Sequence, residues 1–386
     1  MRHAMTDVRL PKWATGPVLE AAGLALIVAL GAVLRFKGIA FGLPNTLCRP
    51  DEATIIDKAW NVFCGDPNPH FFYYPSLCIY LLAAIFSLRH ALLLLLGVPS
   101  AAIMAATQAD PSSLHLIARA VSATLGAATP LIVYLIARRL WDRKTALLAA
   151  LFMSVCYLHV RDSHFGTTDV PSASLTVCAV FFVLDAYEKR RARDYVRAGV
   201  LTGLAAATKY GAMFAVAPML LCHFGRPAAA PVAGGPRRLF GAMRAALGDR
   251  LIWLYGGSAL LAFLLFTPYA LLDCPTFIGN FASEMKHVAT GHHLGGQLII
   301  LGRGWWYHAR YTLPYGVGWL MFAASMAGLL LAFRRDFTRA AIVFLFPLVY
   351  YAVCGKGYTV FVRYMIPMLP FLCMAGAGFV TGAVDQ

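Results

Sequence analysis

Long apolar runs separated by short basic loops constrain this fold more than any other feature of the sequence. The chain has 386 residues, of which 60% are hydrophobic and 13% are charged, and its mean hydropathy is +0.66. A soluble domain carries roughly 25% charged residues, whereas a transmembrane helix needs about 20 consecutive apolar residues. We therefore predict an all-α, polytopic helical membrane protein in which residues 1–386 form a single transmembrane domain.

The positions of the basic residues predict the topology. Cytoplasmic loops of membrane proteins are enriched in Lys and Arg, and these residues cluster here at 138–144, 188–193, 226–250 and 334–339. If all these clusters are cytoplasmic, the chain has about ten spans, both of its ends are cytoplasmic and about 225–250 is a cytoplasmic linker. The loops explain the formal net charge of +15, so nucleic acid is not expected as a partner. The expected spans are approximately 18–36, 116–137, 146–160, 171–187, 196–209, 211–224, 251–272, 311–333, 340–354 and 364–380.

One apolar run, 77–97, does not fit this scheme. If it crossed the membrane, every later basic cluster would lie outside. Arg89 and His90 would also lie within the bilayer, where charged side chains are costly. We therefore expect one or two helices that lie at the outer interface. The first external loop then covers about 37–114, and no soluble domain is expected at the C-terminal end of this chain.

The first external loop contains an adjacent pair of carboxylates, Asp51 and Glu52. Charged groups kept at a membrane boundary commonly have a function. Asp51 is therefore our candidate for the chemical centre, with Arg49 beside it as a candidate substrate-binding residue. The proline between them and the helical apolar pattern that follows allow another interpretation, in which Asp51 only caps a helix. Cys48 and Cys64 lie in the same loop and could be a disulfide or two free thiols.

A second external connection, 159–171, is dense in ionisable groups for its length. Asp169 is a second catalytic candidate, although it precedes a Val-Pro pair and could cap the next helix. His164 is a candidate substrate-binding residue, or simply a hydrogen-bonding group at the interface. Asp51, Glu52, Asp169 and a histidine would suit a divalent cation. No ligand-spacing motif accompanies them, so no metal ligands are assigned.

Further candidates lie at the outer ends of later spans. Lys209 could be a snorkelling anchor or could contact a lipid phosphate. Arg363 runs against the usual charge bias of external segments, which favours a role in pairing with phosphate oxygens. The polar, glycine-rich segment 284–296 is expected to be a loop. It could be a mobile lid over the site, and its His292 is taken as a substrate-binding candidate.

The order of several short motifs resembles a known family. After the first span come Pro-Asp-Glu, Gly-Asp-Pro-Asn-Pro and Tyr-Pro-Ser-Leu. Thr-Thr-Asp-Val-Pro, Gly-Leu-Ala-Ala-Ala-Thr-Lys-Tyr and Arg-Tyr-Met-Ile-Pro-Met-Leu-Pro follow later in the chain. This pattern resembles the type C (GT-C) polyprenyl-phosphate-dependent glycosyltransferases, in particular the protein O-mannosyltransferase and lipid A aminoarabinose transferase branches. The resemblance covers nearly the whole chain.

The resemblance implies roles for individual residues. Asp51 matches the external catalytic aspartate of the family, Glu52 the acidic residue after it, and Asp169 the aspartate of the second external loop. Tyr74 lies where the aminoarabinose branch has a lysine that is thought to touch the lipid phosphate. Because this chain departs from the family there, the phosphate contact is expected more from Lys209 and Arg363.

We accordingly expect an inverting glycosyltransferase with Asp51 as general base. The donor would be a hexose, mannose or pentose on a polyprenyl phosphate, and the acceptor would be a hydroxyl of a protein, lipid or glycan. The site would lie on the external, periplasmic face of the inner cell membrane, among membrane lipids. No cofactor is assigned, although a divalent cation remains possible. The alternative is a transporter or flippase of lipid-linked or small polar substrates, whose ionisable groups would be expected near the midplane rather than at one face.

Overall fold

The computed structural model of the chain describes residues 16–225, 244, 246–290 and 301–384. All the regular elements in these ranges are helices, which confirms the predicted all-α class. The α-helices are α1 Pro17–Phe36, α2 Pro50–Phe63, α3 Leu77–Leu95, α4 Ser100–Ala109, α5 Ser112–Leu140, α6 Arg143–Val155, α7 Tyr157–Asp162, α8 Asp169–Lys189, α9 Ala192–Thr208, α10 Val216–Phe224, α11 Arg250–Phe266, α12 Tyr269–Leu272, α13 Cys274–Thr290, α14 Gly304–Tyr307, α15 Leu313–Val317, α16 Trp319–Arg335, α17 Phe337–Cys354 and α18 Leu369–Val384. Short 3₁₀ segments occur at Thr46–Cys48, Tyr210–Ala215 and Val362–Met368, and a π-helical turn occurs at His308–Thr312.

Several of these helices are long and apolar enough to cross a membrane, so the chain is a multi-pass membrane protein. Within the described part, six helices meet this criterion, or seven if one bent helix pair counts as a single span. One of the six is α3, so its expected position at the outer interface stays a prediction. Two shorter apolar helices, Tyr210–Phe224 and Arg250–Phe266, also occur. The count of ten spans stays a prediction. So do the first external loop at about 37–114 and the linker at about 225–250, most of which lies outside the described residues.

The bundle is held together by close helix contacts. α8 and the segment Val362–Val384 are mostly buried and form its centre, whereas α1 is mostly exposed. α9 packs along α11 through Gly199 and Gly203, where a Cβ atom would collide with the backbone of Tyr255 and Ala259, respectively. Such small residues four positions apart let two helix backbones approach closely, which favours association within a membrane.

The predicted span 311–333 is wrong as a single straight helix. The pair Gly304–Val317 and Trp319–Arg335 is bent by 110°. The break lies at Gly318, whose φ of +89° belongs to the left-handed region that favours glycine. The apolar composition of this segment hid the break, because hydropathy carries no information about backbone direction.

The predicted span 146–160 is also interrupted. α6 ends at Val155, and α7 begins again at Tyr157. The break leaves carbonyl groups at the end of α6 without helical partners, and the buried guanidinium of Arg35 in α1 satisfies two of them. Its Nη1 donates to Ser154 O at 2.9 Å and its Nη2 to Met153 O at 3.1 Å. A cation at a helix C-terminus also complements the helix dipole.

The segment between α1 and α5 forms a layer of its own. α2 and α3 pack against each other and against the first turns of α5. The buried cluster that joins them consists of Ile55, Ile56, Ala59, Ile79, Leu82, Ala83, Phe86, Leu114 and Ala118. This layer brings α2, and with it Asp51, over one end of the bundle.

Candidate functional site

Asp51 lies in the first turn of α2 but does not cap the helix. The residue in the capping position is Arg49, and it makes no side-chain capping hydrogen bond. The Asp51 carboxylate instead lies 3.3 Å from Nη1 of Arg363 and 4.0 Å from Nη2 of Arg49, and 31% of its side chain is exposed. The structure therefore does not support the capping interpretation, and it brings together three of the residues that the sequence singled out.

Glu52 points away from Asp51 into the protein. Its carboxylate is fully buried and forms a two-pronged ion pair with Arg119, with Oε2 2.8 Å from Nη2 and 3.2 Å from Nε. The backbone N–H of Gly166 also donates to Oε1 at 2.6 Å. Glu52 thus joins α2 to α5 and to the connection between α7 and α8. In this structure it is a positioning residue for α2 rather than a group that can touch substrate.

Asp169 and Lys209 form a second ion pair beside the first. Asp169 begins α8, whose capping position is occupied by Thr168, so the capping interpretation fails here as well. Its Oδ1 accepts a short hydrogen bond from Lys209 Nζ, and the two side chains are only 4% and 15% exposed. The ammonium also lies 5.0 Å from the centre of the Tyr364 ring. A buried, paired lysine is not a snorkelling anchor, because a snorkelling side chain extends its charge into water.

A polar cavity of about 350 Å³, which we call the polar chamber, opens beside Asp51. Its lining residues are Asp51, Thr54, Phe71, Tyr73, Tyr74, Ser283, Glu284 and His287. A more apolar cavity of about 150 Å³, the apolar chamber, contains Lys209 in its wall. Tyr73, Tyr74 and Glu284 line both chambers, so they form the boundary between them.

The boundary residues are partly withdrawn from water. Burial, with the neighbouring charge of Asp51, raises the pKa of the Tyr74 hydroxyl, which therefore stays protonated and can donate a hydrogen bond. Burial also raises the pKa of Glu284, against the opposing effects of His287, Lys209 and Arg363. Charge interactions in such a site are stronger than they would be at an open surface.

Glu284 and His287 belong to a helix, so the prediction of a loop over 284–296 is wrong for its described part. α13 is described as far as Thr290, and the backbone N–H groups of Tyr358 and Thr359 donate to Val288 O in its last described turn. Its middle is fixed by a 3.0 Å hydrogen bond from Phe72 N to Asn280 Oδ1. These hydrogen bonds hold α13 in place beside the polar chamber, which its residues Ser283, Glu284 and His287 line. His292, the predicted lid residue, lies outside the described residues.

His164 lies apart from the two chambers. Its Nδ1 contacts Val160 O and its Nε2 contacts Lys37 O, both at 2.9 Å, and it lines a separate cavity with Phe165. Phe165 in turn stacks on Arg49, with 4.7 Å from the guanidinium carbon to the ring centre. The structure thus connects His164 to Asp51 only indirectly. No three His, Cys, Asp or Glu side chains in the described ranges form a cluster that could hold a metal ion, and Cys48 and Cys64 are free thiols.

Sequence reasoning missed two acidic residues of this region. Glu284 had been assigned to a loop, although the spacing of Glu284 and His287 is that of neighbours on one helix face. Asp162 is fully buried against Arg161, with 2.6 Å between Nη2 and Oδ2, and burial raises its pKa to about 6. Asp162 carries no sequence signal beyond its position in a short ionisable turn.

Comparisons with known proteins agree with this architecture. Residues 112–232 match the family described as dolichyl-phosphate-mannose-protein mannosyltransferase. ArnT from Cupriavidus metallidurans, solved bound to undecaprenyl phosphate, is similar over 94% of this chain and 60% of its own, with a TM-score of 0.64 and 18% identity. An oligosaccharyltransferase from Archaeoglobus fulgidus is similar over 95% of this chain and 50% of its own, with a TM-score of 0.61 and 16% identity. No curated protein sequence matches the chain.

These likenesses show the fold. The GT-C architecture that the motifs resemble is confirmed by both solved structures and by the family match. The chain spans about half the length of the oligosaccharyltransferase and 60% of the length of ArnT.

Proposed function

We propose that this chain, which has the fold of the GT-C glycosyltransferases, transfers a sugar from a polyprenyl-phosphate donor to an acceptor hydroxyl at the external face of a cell membrane. The observation that carries the proposal is the position of the Asp51 carboxylate in the wall of a polar chamber. This chamber adjoins an apolar chamber, and Lys209 and Arg363 lie near their boundary. A lipid-linked sugar needs this combination of apolar, cationic and polar surroundings.

The donor would lie across the two chambers. Its first isoprene units would occupy the apolar chamber, its phosphate would lie against Lys209 and Arg363, and its sugar would extend into the polar chamber. Support comes from two proteins of the same fold, since ArnT was solved with undecaprenyl phosphate and an archaeal oligosaccharyltransferase, AglB, with dolichol-phosphate. Tyr74 could donate a hydrogen bond to the phosphate in place of a lysine.

Both cations are paired with carboxylates in this structure, Arg363 with Asp51 and Lys209 with Asp169. A phosphate that binds them must therefore compete with the two aspartates. When Arg363 turns to the phosphate, Asp51 loses a partner that holds its negative charge. Donor binding would in this way expose the base for the acceptor, which favours binding of the donor before the acceptor.

The chemistry then needs one proton transfer. The acceptor oxygen attacks the anomeric carbon as Asp51 takes the hydroxyl proton, which is general-base catalysis. The bond between the anomeric carbon and the phosphate oxygen breaks, and polyprenyl phosphate leaves with the electron pair, stabilised by Lys209 and Arg363. Attack from the face opposite the phosphate inverts the anomeric centre. The acceptor could be a protein, a lipid or a glycan, and a divalent cation is not needed for this sequence of steps.

A transfer assay on the purified protein in lipid nanodiscs tests the proposal. A panel of undecaprenyl-phosphate-linked sugars would be offered with hydroxyl acceptors, and release of undecaprenyl phosphate would be followed. Asp51→Asn should lower turnover by roughly 100- to 10,000-fold, while Asp57→Asn, which removes an exposed carboxylate of the same helix, should not. Normal turnover by folded Asp51→Asn would remove Asp51 as the base.

A further inference from the structure

Glu284 is a carboxylate in the polar chamber that the proposed reaction does not use. It lines both chambers, and burial raises its pKa. Among the described residues, no hydrogen bond or ion pair within direct contact distance engages its carboxylate. The charges of Lys209 and Arg363, which pair with Asp169 and Asp51, reach it only through longer-range attraction.

The Glu284 side chain is partly exposed and lies in the wall of both chambers. It belongs to α13, whose backbone is held by hydrogen bonds from Phe72 to Asn280 and from Tyr358 and Thr359 to Val288. These contacts fix the position of Glu284 at the boundary between the chambers. Its carboxylate is therefore available to hydrogen-bond donors of a substrate that crosses that boundary.

We infer that Glu284 distinguishes the loaded carrier, which is polyprenyl phosphate with its sugar, from the spent carrier, which is polyprenyl phosphate alone. This inference rests on the proposed function. In the proposed pose the sugar ring passes the boundary between the chambers on its way to Asp51. The Glu284 carboxylate can then accept hydrogen bonds from sugar hydroxyls, and hydrogen bonds to a charged acceptor are the stronger kind. The loaded carrier thus supplies hydrogen-bond donors that none of the described residues supplies.

The spent carrier has more negative charge than the loaded carrier. A glycosyl phosphodiester carries one negative charge, whereas a phosphate monoester carries about −1.5 to −2 at neutral pH. The spent carrier also has no hydroxyls to offer. Glu284 therefore repels the leaving polyprenyl phosphate more than it repels the incoming donor. The same side chain would favour donor binding and speed release of the product.

Binding measurements on three probes separate the two effects. The probes are undecaprenyl phosphate, its methyl diester and undecaprenyl phosphodiesters of a panel of sugars, and affinities are measured for purified protein in nanodiscs. The methyl diester has the charge of the donor but no sugar. Comparison with it removes the contributions of the lipid tail and of one negative charge.

Glu284→Gln should bind at least one sugar diester about fivefold or more weakly relative to the methyl diester, because a charged acceptor is lost. The same variant should bind undecaprenyl phosphate about threefold or more tightly relative to the methyl diester, because a repulsion is lost. Glu284→Asp keeps the charge on a shorter side chain. It should also bind the sugar diester more weakly relative to the methyl diester, but it should bind undecaprenyl phosphate no more tightly than the wild type does. Asp57→Asn is the matched control and should change neither ratio.

Unchanged ratios in Glu284→Gln, or equal changes for all three probes, would overturn the inference. If Glu284→Gln instead abolished transfer at saturating donor while Asp51→Asn did not, Glu284 would be the base, and the assignment of Asp51 would fall with this inference. Failure of the wild-type protein to bind any of the three probes would overturn the donor class in the proposed function itself.

Discussion

At the level of single residues, the site is an alternation of acids and bases in which each cation already has a partner. Arg363 pairs with Asp51, and Lys209 pairs with Asp169. An isolated phosphate-binding cation would be ready for its ligand, whereas these two must change partners. Removing either aspartate should therefore improve phosphate binding, which is the reverse of what a ligand-contacting residue would do.

Asp51→Asn and Asp169→Asn should each bind undecaprenyl phosphate about fivefold or more tightly than the wild type, a typical size for a coupling between two interactions. Lys209→Gln and Arg363→Gln should bind it more weakly, since each loses a charge-assisted hydrogen bond. Affinities measured by titration of nanodisc-embedded protein would check both directions. Equal or weaker binding by the two Asn variants would show that the phosphate does not compete with the aspartates.

Asp162 gives a prediction of a different kind, because its charge opposes folding. Burial outweighs the adjacent Arg161 and raises the pKa of Asp162 from 3.8 to about 6. A carboxyl with a raised pKa in the folded state contributes stability below about pH 4, and that contribution is lost as the pH rises through about 6. At neutral pH the ionised group costs the folded state roughly 3 kcal/mol, at about 1.4 kcal/mol per pKa unit.

Asp162→Asn should accordingly raise the thermal stability of the protein in detergent at pH 7.5. The gain should shrink as the pH is lowered towards 4, because the wild-type carboxyl is by then protonated in the folded state and partly protonated in the unfolded chain. Melting temperatures at both pH values would measure this, with the exposed Asp57→Asn as the control. A loss of stability at pH 7.5 would mean that the ion pair with Arg161 outweighs burial.

At the level of helices, the packing of α9 on α11 depends on the absence of side chains. Gly203→Ala would place a Cβ atom against the backbone of Ala259 and 2.9 Å from the Cβ of Ala262. Overpacking of this kind typically costs about 1–3 kcal/mol. Gly256→Ala on the facing helix meets no atom within 4 Å and serves as the control. Thermal unfolding in detergent should show a lower melting temperature for Gly203→Ala alone, and equal behaviour of the two variants would contradict the close contact.

The helices themselves could largely be predicted, because apolar length and the helix-forming pattern are local properties of the sequence. α8, for example, lies within two residues of its expected boundaries. The break at Cys156 could not be predicted, since tertiary contacts such as the hydrogen bonds from Arg35 to the end of α6 accompany it. The break at Gly318 could not be predicted either, because a single glycine in an apolar run does not show which backbone conformation it adopts. Hydropathy recognises that a segment is apolar but not that it turns.

For the site, the sequence identified several of the residues but not the contacts between them. Asp51, Arg49 and Arg363 were singled out separately, and the structure brings them together. The pairing of Asp51 with Arg363 could not be foreseen, because these residues are more than 300 positions apart and only the fold places the start of α2 beside the segment before α18. Glu284 was missed because the polar composition of its segment indicated a loop. The segment is a helix, to which Phe72 donates a hydrogen bond at Asn280 and Tyr358 and Thr359 donate hydrogen bonds at Val288.

At the level of the whole molecule, the position of α3 decides how the site is related to the membrane. Its inner face packs on α2, while Leu88, Leu92 and Leu95 are exposed. α4 folds back against the end of α3, with a 3.1 Å hydrogen bond between Ser100 and His90. The exposed leucines would contact lipid, and α3 is also long and apolar enough to cross the membrane. Its position at the outer interface, which would return the chain to the start of α5 on the same side, stays a prediction.

Cysteine labelling tests this topology directly. The exposed native thiols Cys48, Cys64 and Cys274 would first be replaced by serine. If α3 does not cross the membrane, Ala101→Cys at the start of α4 should react with a membrane-impermeant maleimide added to intact cells. Arg191→Cys, in a basic loop predicted to be cytoplasmic, should react only after the cells are opened.

If α3 instead crosses the membrane, the two sites will exchange their behaviour. Arg191→Cys will then react in intact cells, and Ala101→Cys will react only in opened ones. This result would reverse the side assigned to every helix after α3 and would separate Asp51 from Asp169 across the bilayer. The ion pairs that bring Arg363 to Asp51 and Lys209 to Asp169 on one face require the first outcome.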